Sequence, residues 1–156
     1  MVVNNASVYP RTALGEISAE TWDAIFAANL RAPFLLSQRL GLAMKASGGG
    51  QIVNLGDWAG LRPYRSYLPY VVSKAGLIHM TRALALELAP EVRVNCVCPG
   101  PVLLPEGYDA ATAEGGPTRD PARAARGSGR DRARGAVLRR EWICDRRNPH
   151  ARRAGK

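Results

Sequence analysis

Three short apolar runs, separated by two long stretches of helical periodicity, decide what this chain can fold into. Val2-Val3-Asn4-Asn5, Gln51-Ile52-Val53-Asn54-Leu55 and Arg93-Val94-Asn95-Cys96-Val97-Cys98 have the length and β-branched content of buried strands. Before the second run, Ser18 offers an N-cap and Glu20 and Asp23 sit where the helix dipole favours acids. Trp22, Ile25, Phe26 and Leu30 recur there at helical spacing. The spacing predicts one helix from Ser18 to about Ala46, with Pro33 bending or breaking it, closed by Gly48-Gly49-Gly50. Residues 56–68 read as a loop. Pro69 suits the first turn of a second helix, which carries Leu77, Leu84 and Leu88 and ends near Pro90. Pro99-Gly100 stops the third strand. Strand, helix, strand, helix, strand predicts an α/β fold with a parallel sheet built from βαβ units.

Within that frame, Tyr70 and Lys74 stand out. Positions i and i+4 share a helix face, so the Lys74 ammonium is expected to favour tyrosinate and lower the phenol's pKa, making a proton donor. A lone Tyr-x-x-x-Lys also describes an ordinary surface helix. Asp57 lies two residues beyond the strand ending at Leu55, at the carboxyl end of a strand, where ligands of open α/β sheets bind.

From Val2 to about Leu104 these residues resemble the short-chain dehydrogenase/reductases. Asn4-Asn5-Ala6-Ser7 looks like the family's N-N-A-G segment with Ser for the final Gly. Asn29 matches its active-site Asn, Tyr70 and Lys74 its catalytic pair, and Pro99-Gly100 the turn facing the nicotinamide. The resemblance implies a Rossmann-like, doubly wound parallel sheet, of which residues 1–104 form the C-terminal part. It implies NADP or NAD as cofactor, NADP slightly favoured, with Asn4, Ala6, Tyr70, Lys74, Pro99, Gly100 and Val102 as cofactor contacts. It also implies hydride transfer with Tyr70 as proton donor, Lys74 as its partner and ribose ligand, and Asn29 placing a relay water. It further implies a small-molecule substrate and association of copies of the chain through the two long helices.

Two departures matter. Most of the family carries Ser where this chain has Asp57, and a carboxylate cannot donate the hydrogen bond a hydroxyl gives a substrate carbonyl. Asp57 instead suits a substrate that offers N–H donors, and pteridine reductases resemble this chain in having Asp there. A pterin-like substrate is therefore expected beside a simple carbonyl one. The other reading of Asp57 is a cap on the loop before Trp58. The second departure is that no glycine-rich strand-to-helix turn precedes Val2, and Gly48-Gly49-Gly50 has the reverse context. The chain is thus expected to lack the first part of the nucleotide-binding half and the segment that selects NAD or NADP.

From Pro105 on, thirteen basic and seven acidic residues give +6 of the chain's net +9, with few large apolar side chains. Such a basic tail is expected to be disordered. A nucleic-acid or membrane arm and a plain solvated tail both fit the charge, but the segment lacks interleaved aromatics and any Lys before Lys156. A third reading is a frameshift. Read one base later, the codons for Glu141 to Arg153 permit N-G-F-V-T-G-A-I-L-T-L-D-G, close to the family's last strand. Those for Arg132 to Leu138 permit an apolar helix, A-R-A-V-L-F-L. This reading is preferred, and nucleic-acid binding is not favoured.

Cys96 and Cys98 point to one face of a strand, as small buried filler. His79 and His150 offer no metal pair. An odd cysteine count without a signal peptide favours the cytoplasm. The sequence thus reads as part of an NAD(P)-dependent reductase. The alternative is a non-catalytic fragment, or a binding protein with a basic tail.

Overall fold

Val2, Ile52 and Val94 lie side by side on three parallel strands, followed one step further by Asn4, Asn54 and Cys96. The strands are β1 (Val2–Asn4), β2 (Gly50–Leu55) and β3 (Val92–Cys98), paired in that order. They belong to a computed structural model that describes residues 1–100 together with 142–144 and 152–153. Helices α1 (Ala19–Phe26) and α2 (Ala32–Ala46) connect β1 to β2, and α3 (Leu68–Glu87) connects β2 to β3. The expected alternation is therefore present.

Strand side chains alternate between faces, so Ile52, Val92 and Val94 share one face of the sheet. They are buried against Leu84, Ala85 and Leu88, with Met44 and Met80 packed beside them. Met44 belongs to α2 and Leu84 to α3, so both helices cover the same face. Right-handed crossovers between successive parallel strands require this. Ile52 has no exposed surface; burying a side chain of this size contributes about 2–3 kcal/mol. On the opposite face Val3 is half exposed, and Val53, Leu55 and Val97 are partly covered.

A polar line runs through this apolar layer. Asn4 Nδ2 donates to Ser37 Oγ of α2 (3.0 Å) and to Asn54 Oδ1 of β2 (2.7 Å), and Asn54 Nδ2 donates to Thr81 Oγ1 of α3 (2.9 Å). Thr81 passes its own proton to the Leu77 carbonyl. Asn54, Ser37 and Thr81 are essentially inaccessible to water, so each needs these partners.

The long first helix departs from expectation. Rather than bending or breaking at Pro33 itself, it widens just before it, in a π turn over Ala27–Arg31 that separates α1 from α2, and Pro33 falls in the first turn of α2. Proline lacks the N–H that would meet the Asn29 carbonyl four residues back, and its ring crowds that carbonyl. Widening the preceding turn relieves both conflicts. Ser18 caps α1 as expected, its Oγ accepting from Thr21 N. Two short strands, β4 (Trp142–Cys144) and β5 (Arg152–Arg153), extend the sheet antiparallel from β3. An open strand edge offers unpaired N–H and C=O groups for such addition. The rest of the expected disordered tail, and Val102, lie outside the described residues.

Replacing Asn54 with Ala removes two buried hydrogen bonds and strands part of the Asn4 amide. Urea unfolding should show a loss of about 2–3 kcal/mol, and Asn54→Asp should not restore it, because its carboxylate cannot donate to Thr81.

Candidate active site

Pro69 opens α3 and places Tyr70 and Lys74 one turn apart on the side of the helix that faces the sheet. Tyr70 is 7% exposed and Lys74 only 3%. The Lys74 ammonium donates to the carbonyl of Leu55, the last residue of β2, at 2.8 Å. Its Nζ lies 5.7 Å from the centre of the Tyr70 ring. One of its three N–H groups is thus committed to the strand end.

Asp57 follows in extended conformation and precedes a 3-10 turn, Trp58–Gly60. Its Oδ1 accepts from Ala59 N at 2.7 Å and caps that turn, while Oδ2 accepts the Tyr70 hydroxyl at 2.6 Å. The carboxylate therefore both caps the loop and faces the phenol. Gly60 explains how the two are held together. A Cβ there would come within 2.8 Å of Ala75 N and of the Lys74 carbonyl carbon, so only glycine lets the turn press against the α3 backbone.

The electrostatics reverse the sequence-based expectation for Tyr70. Its pKa is raised, first by burial, then by the hydrogen bond to Asp57 and that carboxylate's charge. Lys74 does not lower it, because the ammonium is directed at Leu55 while Asp57 is in direct contact with the phenol oxygen. Lys74 itself is held below the usual lysine range, chiefly by burial, against the opposing pull of Asp57. Tyr64 is pushed up to about 12 by burial and by Asp57.

Asn29 sits inside the π turn, 1% exposed. Its Oδ1 accepts from Val8 N (2.9 Å) and Ser7 Oγ (3.2 Å), and its Nδ2 donates to the Val8 carbonyl (2.8 Å) and Ser73 Oγ (3.1 Å). The side chain's two donors and its oxygen are all engaged, so it ties the loop after β1 to α3. Ser73 completes the tie by donating to the Tyr70 carbonyl at 2.7 Å.

Aromatic rings gather over this group. Tyr9 stacks at 6.1 Å on Tyr67 and lies 5.7 Å from Tyr70, Tyr64 meets Tyr67 edge-on at 5.2 Å, and Trp58 stacks on Tyr64 at 6.4 Å.

A profile of the short chain dehydrogenases matches residues 1–111. This chain belongs to that family. It is 44% identical over 101 residues to an uncharacterized oxidoreductase of Thermotoga maritima, covering 64% of this chain and 40% of that protein. Among solved structures, 4-hydroxyisoleucine dehydrogenase complexed with NADH aligns at TM-score 0.59 and 31% identity, over 61% of this chain and 43% of that one. A candidate NAD(P)-dependent gluconate 5-dehydrogenase from Beutenbergia cavernae with bound NADP aligns at 0.62 and 38%, over 64% and 41%. The chain thus spans about two fifths of the length of the curated relatives it matches.

Tyr70 and Lys74 on α3 face the end of β2 through Asp57 and the Leu55 carbonyl, Asn29 joins the π turn to the loop after β1, and Pro99-Gly100 directly follows β3. The positions read as cofactor contacts are distributed unevenly. Ala6 is exposed at the mouth of the loop after β1, and the Pro99 carbonyl accepts from Trp58 N at 3.2 Å. The Asn4 side chain is turned inward to Ser37 and Asn54, which leaves only its backbone for a ligand. Lys74 keeps two N–H donors beyond its bond to Leu55, a donor set that fits ribose hydroxyls. Ser73 and the other three tyrosines of the cluster, Tyr9, Tyr64 and Tyr67, were not singled out from sequence. The signal for the latter was that four of the chain's five tyrosines fall at Tyr9, Tyr64, Tyr67 and Tyr70.

Asp57→Asn removes the charge while keeping a group of the same shape. In that variant the Tyr70 phenol should titrate at lower pH than in the parent, read by difference absorbance or by NMR of the labelled ring. Gly60→Ala should push the turn off α3 and lower the Tyr70 titration in the same direction, at a cost in stability of about 1–3 kcal/mol.

Proposed function

We propose that this chain carries the catalytic group of an NAD(P)-dependent reductase that acts on a small molecule bearing N–H donors next to the reacting bond. A pterin-like ring is the leading case and a simple carbonyl compound the other. The observation that carries this reading is the 2.6 Å bond from the Tyr70 hydroxyl to Asp57, with Lys74 one turn behind. When bound, NAD(P)H supplies the hydride.

The residues here manage the proton. A substrate N–H competes with Tyr70 for the Asp57 carboxylate, and when it wins, the phenol is released to donate to the substrate heteroatom that gains charge. The Lys74 ammonium then offsets the charge left on the phenol. A substrate without N–H groups leaves Tyr70 bound to Asp57, and a developing oxyanion meets a carboxylate rather than a donor. The raised pKa of Tyr70 keeps the phenol protonated through the ordinary tyrosine range. Tyr70, Lys74, Ala6 and Gly100 would hold the nicotinamide end of NADP or NAD.

A cytoplasmic setting is consistent with the thiols of Cys96 and Cys98, whose sulfurs lie 3.7 Å apart in a hydrogen bond rather than a disulfide. Among the described residues no helix is long and apolar enough to cross a membrane. Association of copies through the long helices is supported by α2, where Leu36 and Leu40, one turn apart, are 50% and 41% exposed beside Phe34 and Leu35.

Steady-state assays following reduced nicotinamide test the chemistry. Tyr70→Phe should lower kcat by about 10²–10⁴-fold. Asp57→Ser should lower kcat/KM for an N–H-bearing pterin by about 10–100-fold, the worth of a hydrogen bond to a charged group, while raising it for a simple ketone. Unchanged pterin turnover in Asp57→Ser would sink the assignment of substrate class. Leu36→Lys combined with Leu40→Lys should shift sedimentation velocity toward the monomer without changing the far-UV spectrum.

A further inference from the structure

Two loops meet above the site. Thr12 N donates to the Ser66 carbonyl at 2.8 Å, which joins the segment after β1 to the segment before α3. Arg62 N donates to the Trp58 carbonyl at 2.9 Å, which folds a third stretch over the residue next to Asp57. Each of these ties carries an arginine: Arg11 beside Thr12, Arg65 beside Ser66, and Arg62 itself. All three are exposed. No acidic residue occurs from Val8 to Leu14 or from Trp58 to Pro69. Asp57, beside Trp58, is already engaged below by Tyr70 and Ala59.

The same two loops supply the aromatic rings. Tyr9 is two residues from Arg11, Tyr64 adjoins Arg65, and the Tyr9 and Tyr67 rings stack across the junction. An aromatic cluster therefore borders the phenol of Tyr70, Tyr9 stacked on Tyr67 and tilted against Tyr70, with cationic groups on the segments that carry these rings. Exposed guanidinium groups of one sign steer anions and hold carboxylate or phosphate oxygens in a fork.

We infer that Arg11, Arg62 and Arg65 form an anion-selecting rim, so that the substrate is a flat molecule with a carboxylate or phosphate set away from its reacting end. The assignment deepens the reductase reading and rests on it only for what happens at Tyr70. Opposite signs at the two ends orient such a molecule: N–H groups go down to Asp57, the ring lies along Tyr9 and Tyr67, and the anion stays at the rim. A reversed molecule would bring its anion to Asp57.

The test is equilibrium binding to the full chain without cofactor, using 4-carbamoylbenzoate and its uncharged methyl ester. The pair shares the amide N–H groups and the ring and differs in the anion. The acid should bind at least tenfold tighter than the ester at low salt, with the ratio shrinking as salt rises. Replacing Arg11, Arg62 and Arg65 together by Gln should bring the ratio near one and leave ester binding unchanged. All three side chains are exposed, so a matching far-UV spectrum and unfolding midpoint should accompany the result. Phenyl phosphate against phenol, in the same format, tells whether phosphate serves as well as carboxylate. Equal binding of acid and ester, no binding of either, or a preference that survives the triple variant would overturn the inference. None of these readouts involves hydride transfer. Anion selection without turnover would therefore count against the reductase reading alone, and turnover without anion selection against the rim alone.

Discussion

Two adjacent residues of β2 hold α3 in place, and the site depends on that hold. Asn54 donates to Thr81 from its side chain, and the Leu55 carbonyl accepts from Lys74. Lys74 and Thr81 are seven residues apart, two helical turns, so both bonds fall on one face of the helix. Together they fix the helix in rotation and in height against the strand. Tyr70, one turn earlier on that face, is then carried to a defined point above the end of β2. The Asn4 amide extends the hold to β1 and α2. Buried polar groups of this kind are costly unless every partner is present, so the arrangement is sensitive to register. A strand shifted by one residue would aim Asn54 at the other face.

With α3 fixed, the charge state of the phenol follows from proximity. Coulomb energy falls with distance and rises as water is excluded. The Asp57 oxygen is 2.6 Å from the Tyr70 hydroxyl, whereas the Lys74 nitrogen is 5.7 Å from the ring centre and points at a carbonyl. The carboxylate therefore dominates, and burial adds to it, because both disfavour a second negative charge. The same burial lowers the pKa of Lys74. The pair thus stores its proton on the tyrosine with unusual firmness. Any ligand that draws Asp57 away changes that balance without moving the helix.

Much of this architecture could be read from residue order, for identifiable reasons. Strands and helices announce themselves by periodicity, and the runs at Ile52 and Val94 have no competing interpretation. Tyr70 and Lys74 are legible because i,i+4 spacing on a helix is a geometric statement. The position of Asp57 was half legible: capping and facing the substrate were taken as alternatives, yet a carboxylate has two oxygens, and here one caps the turn while the other accepts the Tyr70 hydroxyl. The bend or break expected at Pro33 was displaced upstream, because a proline marks where a helix is stressed, while the chain relaxes in the π turn before it. The aromatic cluster was invisible, since Tyr9 and Tyr67 meet only through the backbone bond between Thr12 and Ser66. Loop pairing of this kind leaves no periodic trace. The saturated state of Asn29 was hidden for the same reason, because two of its partners, Ser7 and Val8, lie on that loop.

The saturation of Asn29 also bears on how rigid the site is. A side chain that binds Val8 twice and Ser73 once couples the loop after β1 to α3 across the π turn. The loop that it holds carries Tyr9, whose ring leans on Tyr70. The phenol is therefore confined from above by a residue whose position is set by Asn29, and from the side by Asp57, whose position is set by the contact of Gly60 with α3. Neither constraint involves a ligand, so the Tyr70 phenol is held in place by the protein's own contacts. What remains free to adjust is the choice of acceptor for one O–H bond. On the proposed reductase reading, a preorganised phenol combined with competition for Asp57 makes substrate chemistry, rather than loop motion, the element that switches the site on.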